Sequence, residues 1–414
     1  MKRTPALLIA ATAALAACGV VSSQTTVRVQ GYGGQDPAIV QRLLDEVVGA
    51  DLEAEGITVQ YEPIENDYNP VLTNNLSAGT AGDVFYLPGE VAPGFIATGK
   101  VQPLGDLVDT EPFIDSLLDV YTQDGQVYGI PKDFNTLAVF YNADLFDEAE
   151  VEYPSADDTF TTFREKLQAV SELDDEIYGA CLSADFARLG AFAYANGWQP
   201  FTEDGSVSLN DEAFVEAFNF YTGLVTDGIA VQPSDVGAGW PGDCLANEQA
   251  AVAIEGAWIL GFLRDNAPNL AFGAAPMPMS DATGERGNFV YSVAWAVNAD
   301  SPNQEAAVKV LEAMTSEAAQ QFILEQGLAI PSREALSETD YFNQDTPEAQ
   351  ANQIIFEGAS QGNVLGYQFG GVGTDYLTPI NNAMTQVMTG QAETQAALEG
   401  AQSELDALIA RSAQ

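Results

Sequence analysis

The sequence predicts an α/β fold on three observations. Short β-like runs alternate with stretches whose apolar residues recur at helical spacing. Gly, Pro and Asp punctuate the boundaries between them, as turns and helix starts require. The chain's 414 residues, 46% hydrophobic and 10% aromatic, supply core for two domains or one large one.

Thr26–Val29 reads as the first strand and is followed by Gly31-Tyr32-Gly33-Gly34. A helix then starts with Asp36 as N-cap and Pro37 at the first helical position. Ile39, Val40, Leu43, Leu44, Val47 and Val48 form its apolar stripe, and Gly56 stops it before a strand over Ile57–Tyr61. Asp83–Leu87 is a third strand, with Pro88-Gly89 at the carboxyl end, where open α/β sheets place ligands. Further strands are expected at Leu137–Tyr141, Ala250–Ile254, Leu270–Gly273 and Val293–Val297. Helices are expected at 158–171, 211–227, 302–325 and 380–410, the third capped by Ser301 with Pro302 next.

Composition excludes several function classes. The chain has 60 Asp+Glu against 14 Lys+Arg, a formal net charge of −46, with the basic residues scattered. Such a surface repels a phosphate backbone, so no nucleic-acid partner is expected. It has no histidine, which removes Ser-His-Asp and Cys-His nucleophiles and His-ligated metals. No cofactor or metal is expected. Gly31-x-Gly33-Gly34 lacks both the G-x-G-x-x-G spacing and a P-loop lysine, so it is no phosphate cradle.

Lys2 and Arg3 precede an apolar run from Ala6 to Ala17, the pattern of a secretory signal over residues 1–17. Leu15-Ala16-Ala17-Cys18 resembles the bacterial lipobox, which implies acylation of Cys18 and anchoring of an exported chain facing the periplasm or cell exterior. The tether, residues 18–25, is short. With Lys2 and Arg3 removed, 12 basic residues remain against 60 acids, a net of −48. An oxidising compartment favours a disulfide between the remaining pair, Cys181 and Cys244; two buried thiols are the alternative.

Several segments together resemble family 1 extracellular solute-binding proteins, the maltose-binding-protein-like receptors of ABC importers. These are Gly82-Asp83-Val84-Phe85-Tyr86, Phe95-x-x-x-Gly99-Lys100-Val101 through Leu107, and Tyr128-Gly129-Ile130-Pro131-Lys132-Asp133-Phe134-Asn135-Thr136 running into Val139–Phe146. Gly256-Ala257-Trp258 and Ala296–Asn303 leading to Glu305-Ala306-Ala307 complete the pattern. The resemblance implies a two-lobed periplasmic-binding-protein fold of type II, with a ligand cleft between lobes joined by a multi-crossing hinge. By that pattern lobe one takes 26–134 plus 288–330 and lobe two 135–287 plus 331–414.

Sugar recognition needs flat apolar faces for the ring and charged or amide groups for the hydroxyls. Trp198, Trp240 and Trp258 sit in Gly-rich or loop contexts, and Trp258 matches the family position where an aromatic stacks on the ligand. Trp240 has the alternative of a loop anchor near Cys244, and Trp295, inside an apolar run, reads as core. Tyr86 and Glu90 close the third strand, with Glu90 at the position where relatives place an acidic ligand group. Lys132, Asp133 and Asn135 mark the first hinge crossing; Asn135 matches a polar ligand position, while Asp133 has the alternative of capping or pairing with Lys132. Tyr32 and Gln35 would face the cleft. Asp185 and Arg188 lie on a segment that supplies polar contacts in relatives, with a surface salt bridge as the alternative. Gln368 and Phe369, in a Gly-rich loop, are expected to close the site. Acids without a motif, such as Glu203 and Asp211, read as solvated surface.

The resemblance implies a monomeric receptor without catalysis that passes a sugar or short oligosaccharide to the permease subunits of an ABC transporter. A polyamine or other small polar solute is the alternative ligand on composition. An exported carbohydrate-active enzyme is the less favoured class, since paired carboxylates alone suffice for glycoside hydrolysis.

Overall fold

The computed structural model describes residues 24–412 apart from 34–35, 66–67, 175, 203–204 and 327–328. The signal at 1–17, Cys18 with most of its tether, Gln35 and Glu203 lie outside the described residues.

Strand β1, Thr25–Tyr32, runs parallel to β2, Ile57–Ile64, over their full length, and pairs on its other side with β3, Val84–Pro88. The connection from β1 to β2 is helical over Asp36–Leu43, widens to a π-turn at Leu44–Val48, and resumes as α-helix over Gly49–Ala54. Gly49 permits the widening, because a Cβ there would lie 2.2 Å from the Leu44 carbonyl oxygen. Val40, Leu43, Leu44, Val48 and Leu52 are buried, whereas Ile39 and Val47 of the expected stripe are half-buried. The wider turn rotates the buried face between them. Gly56 ends the segment in the left-handed region at φ 77°.

A small hairpin, β4 (Thr122–Gln123) and β5 (Gln126–Val127), turns through Asp124-Gly125, both at positive φ. Strand β6, Ile130–Asn135, was not expected from the sequence. It leads into a second sheet made by β7 (Ala138–Asn142), β8 (Ala180–Cys181), β9 (Ala230–Val231), β10 (Val252–Glu255) and β11 (Phe272–Ala275). Their order is β11-β7-β10-β8-β9.

Strand β12, Gly287–Val297, returns to the first sheet antiparallel to both β3 and β6, with a bulge between Val293 and Ala294. Its first half pairs in parallel with β13, Asn363–Gly366, completing the path β13-β12-β3-β1-β2. Two sheets with a chain that passes between them repeatedly make the two-lobed architecture. Val27, Val29, Phe85, Leu87, Ala296 and Leu311 pack in one core, and Phe163, Leu167, Phe186, Phe192, Phe218 and Tyr221 in another. A third cluster including Phe134, Phe140, Leu245, Ile259 and Ile330 lies where the chain crosses.

Two long helices expected from periodicity are each broken. The segment 302–325 divides into Gln304–Met314 and Glu317–Glu325, because Ser316 starts a new helix by accepting from the Ala319 N–H. Asn303 directly precedes the first of these; the Ser301 hydroxyl still accepts from the Asn303 N–H at 2.9 Å, as a cap does, and donates to Asp83 Oδ1 at 2.6 Å. The segment 380–410 divides into Leu377–Met388 and Thr394–Ser412 at Gly390, whose φ is 70°. Thr159 and Asp211 cap the helices Phe160–Ser171 and Glu212–Thr226. Asp211, expected as plain solvated surface, thus has a local structural task.

Candidate ligand cleft

The first wall of the cleft is built where β1 and β3 end. Gly89 follows β3 so closely under β12 that a Cβ would meet Val120 at 2.9 Å and the Ser292 carbonyl oxygen at 3.3 Å. This tight passage turns the chain into a short helical turn, Gly89–Val91, and sets Glu90 half-buried at the sheet's carboxyl edge. Tyr32 packs edge-on against Tyr68 and Tyr86, with ring centroids 4.8 and 5.1 Å apart. Tyr68 donates to the Tyr86 carbonyl at 2.9 Å, and Tyr86 donates to Asp36 Oδ2 at 2.9 Å. Tyr86 itself is 1% exposed and lies 4.3 Å from Trp295, so it supports the wall from behind.

Lys132 forms an ion pair with Asp133 and holds its ammonium 4.7 Å from the Tyr86 ring centroid. Burial pushes the Asp133 carboxyl up, against the opposing pull of Lys132. A cavity of about 20 Å³, room for about one water, lies beside Tyr86, Lys132, Asp133, Trp295 and Gln320. Burial also pushes Glu90 up; its own backbone N–H and the Asn69 side chain oppose that shift. Burial raises the phenols of Tyr32, Tyr121 and Tyr367, and the charge of Glu90 adds to each. Tyr32 on β1, Tyr121 just before β4 and Tyr367 just after β13 all feel the charge of Glu90.

The second wall is built where β10 ends. Glu255 is its last residue and is fully buried, and Gly256-Ala257 lead into the helix Trp258–Asn266. A Cβ at Gly256 would lie 2.4 Å from the Trp258 ring, so only glycine lets the indole fold back over the strand end. There its Nε1 donates to Glu255 Oε2 at 2.9 Å. Asp185 caps the helix Phe186–Ala195, and Arg188, one turn on, donates to Asp185 Oδ2 at 2.9 Å and to Glu255 Oε2 at 2.5 Å. The guanidinium carbon lies 5.8 Å from the Trp258 ring centroid. Tyr291 donates to the Ala187 carbonyl at 2.5 Å and stands edge-on to Trp258 at 5.8 Å and 4.8 Å from Tyr367.

Burial raises Glu255, opposed first by the charge of Arg188. Burial alone would lower Arg188, yet Glu255, Tyr291 and Asp185 together hold it above its ordinary value. Trp258 remains 40% exposed above this network. An indole face tethered over a paired Arg188–Glu255 network can stack on the apolar face of a ring-shaped ligand without having to be ordered first.

The structure brings Tyr32, Glu90, Lys132 and Asp133 to the first wall, and Asp185 and Trp258 to the second, together with Arg188. Asn135 lies between them, its Oδ1 accepting from the Ala257 N–H at 2.9 Å, so that oxygen serves as a structural tether. Gln368 is half-buried just after Tyr367. Tyr86, Trp198 and Phe369 are corrected as ligand contacts by their burial, and Trp240 takes its alternative. Trp198 is 3% exposed inside the second core, its Nε1 donating to the Ser208 carbonyl at 2.9 Å. Phe369 is fully buried and stacks on Tyr376 at 4.7 Å, because the apolar loop packs inward. Trp240 lies edge-on against Phe262 at 4.9 Å, beside the helix Pro241–Ala246 that carries Cys244, as a loop anchor would.

Cys181 and Cys244 form a disulfide with Cα atoms 6.2 Å apart. The surface hollow of about 580 Å³ lined by Phe160, Arg164, Glu165, Glu216 and Asp281 shares no residue with either wall. Among the described residues no group of three or more Cys, Asp or Glu could hold a metal ion, and no helix is long and apolar enough to cross a membrane.

Sequence reasoning passed over Glu255, Tyr68, Tyr291 and Tyr367. Glu255 directly precedes Gly256-Ala257-Trp258, so its place beside the motif was a usable signal. The tyrosines join the site through long-range packing and carry none.

A two-lobed α/β fold with polar and aromatic walls at opposed sheet edges defines a solute receptor. The chain belongs to the bacterial extracellular solute-binding proteins, whose family profile matches residues 51–351. A binding protein of Brucella abortus is 25% identical over 88% of this chain and 89% of its own. The galactooligosaccharide-binding protein of Bacillus subtilis is 22% identical, covering 78% of this chain and 76% of that one. An ABC substrate-binding protein of Listeria monocytogenes, solved with cycloalternan, matches with a TM-score of 0.79 at 22% identity, over 94% of this chain and 99% of that one. At that identity the likeness is one of fold.

Proposed function

We propose that the protein is the extracytoplasmic binding component of an ABC importer, capturing a sugar or short oligosaccharide in the cleft. One observation carries this reading: Trp258 is 40% exposed while its Nε1 is locked to the buried Glu255. Such an indole offers an apolar platform for a sugar ring, and Glu90 and Asp185 offer acceptors for hydroxyls. Closure of the lobes buries the ligand on both sides, so affinity comes from the preference of the ligand for the closed state. The closed form then delivers the sugar to the permease subunits, unchanged.

The run Ala6–Ala17 and Cys18 support an exported, lipid-anchored receptor. More than one acyl chain makes such anchoring stable. A thermal-shift screen of the purified protein against mono- and disaccharides, with product analysis of the bound sugar, tests the function. A ligand at 100 times its Kd is expected to add about 2.7 kcal/mol, and the recovered sugar is expected intact. No shift with any saccharide, or turnover of the bound one, would sink the reading.

A further inference from the structure

Resting on the sugar-receptor reading, we infer that this cleft excludes negatively charged saccharides such as uronates and takes ligands bearing no negative charge. Among the described residues, the two cations of the walls, Lys132 and Arg188, are already engaged. Lys132 is paired with Asp133 and capped by the Tyr86 ring, its side chain 11% exposed. Arg188 meets two carboxylates, Asp185 and Glu255, its side chain 17% exposed. Its remaining Nε is buried and has no protein partner, as is Glu255 Oε1. That donor is set beneath Trp258, inside a group whose charge is already answered twice.

The acids are in excess. Asp36, Glu90, Asp133, Asp185 and Glu255 each add to the raised phenols of Tyr32, Tyr86, Tyr291 or Tyr367, and Arg188 opposes them at Tyr291 and Tyr367. Among the described residues no ion pair engages Glu90, and the neutral Asn69 side chain, not a cation, works against the upward push of burial. The turn of Glu90, Gly89–Val91, packs against the segment Gly370–Tyr376, and its charge adds to the raised Tyr367 phenol, so it acts beyond its own wall. Closing the lobes on a ligand carboxylate would bring two unanswered like charges together in a site drained of water. At an effective dielectric of about 20, like charges about 5 Å apart weaken binding on the order of 100-fold. A neutral ring avoids that cost, and its hydroxyls can donate to Glu90. The overall charge works in the same direction by repelling anions during encounter.

The test is calorimetric titration of the purified protein with matched probes: glucose and glucuronate, galactose and galacturonate, galactobiose and digalacturonate. The neutral member of a binding pair is expected to bind at least about 100-fold more tightly than its acid. Glu90→Gln is expected to narrow that gap about tenfold, and raising salt should narrow it without changing neutral-sugar affinity. Equal affinity for both members, or a gap that neither the variant nor salt changes, overturns the charge exclusion while leaving a sugar receptor. Binding of neither member of any pair removes the sugar reading and this inference with it.

Discussion

Arg188 Nη2 and Glu255 Oε2 lie 2.5 Å apart, and the carboxylate of this pair is fully buried. Truncating one partner leaves the other buried and unanswered. Arg188→Met is expected to lower stability by about 3–5 kcal/mol, and adding Glu255→Gln to recover part of that loss. Chemical denaturation of the wild type and the two variants measures both quantities. A double variant less stable than Arg188→Met would contradict the argument.

Trp258 and Trp198 separate binding from folding. Trp258 is 40% exposed and Trp198 only 3%. Trp258→Ala is expected to cost about 1 kcal/mol of stability but about 2 kcal/mol of ligand affinity, roughly 30-fold. Trp198→Ala is expected to cost about 3–5 kcal/mol of stability and leave the affinity of the folded fraction unchanged. Denaturation curves paired with titrations of a binding sugar distinguish the two.

The fold class was legible because strand ends and helix stops carry local chemistry: Gly56 ends a helix and Pro88-Gly89 close a strand. The helix breaks at Ser316 and Gly390 were obscured by apolar periodicity that continues through them. At the proposed site, the resemblance singled out Trp258, and Gly256 and Ala257 make the turn that leaves it exposed. Trp198 had an equally loop-like neighbourhood, and only the packing of Tyr194, Phe186 and Phe214 around it shows that it is core. Tyr291 and Tyr367 meet through the pairing of β12 with β13, a relation across more than seventy residues that no local pattern encodes.

Glu90 gives the cleft a pH dependence of known sign. Burial raises its folded-state pKa, its charge adds to the raised phenols of Tyr32, Tyr121 and Tyr367, and among the described residues no ion pair engages it. A raised carboxyl holds its proton more tightly in the folded chain, so its stability contribution is greatest at low pH and falls as pH rises through the shifted value. Ligand hydroxyls need the ionised acceptor, so affinity moves oppositely: constant near neutrality, then falling as pH drops through that raised value. Titrations across mildly acidic pH are expected to show the fall in the wild type and a flatter profile in Glu90→Gln.

The disulfide closes a span of 63 residues between Cys181 at β8 and Cys244 on the helix Pro241–Ala246. Confining a loop of that length in the unfolded chain contributes about 4 kcal/mol. The Cys181→Ala, Cys244→Ala double variant is expected to unfold at correspondingly lower denaturant. Sugar affinity should stay close to that of the wild type, since neither cysteine reaches the walls. Loss of affinity in a folded variant would mean that the bridge also positions Glu255 through β10, the strand paired with β8.

Acidity should make the folded protein dependent on salt. The chain carries 60 acidic and 14 basic residues, and several of the basic ones, including Arg28, Lys166 and Arg188, are already in ion pairs. The rest of the acid surface repels itself most strongly in the compact state. Raising ionic strength from roughly 0.1 to 1 M shortens the Debye length from about 10 to about 3 Å, which screens repulsion between exposed acids more than attraction within buried pairs. The melting temperature is therefore expected to rise with sodium chloride. Buried pairs such as Lys132–Asp133 and Arg188–Glu255 should persist through the same range, so affinity for a neutral sugar should change little. A melting temperature that falls or stays level with salt would mean that self-repulsion is not what limits the stability of this fold.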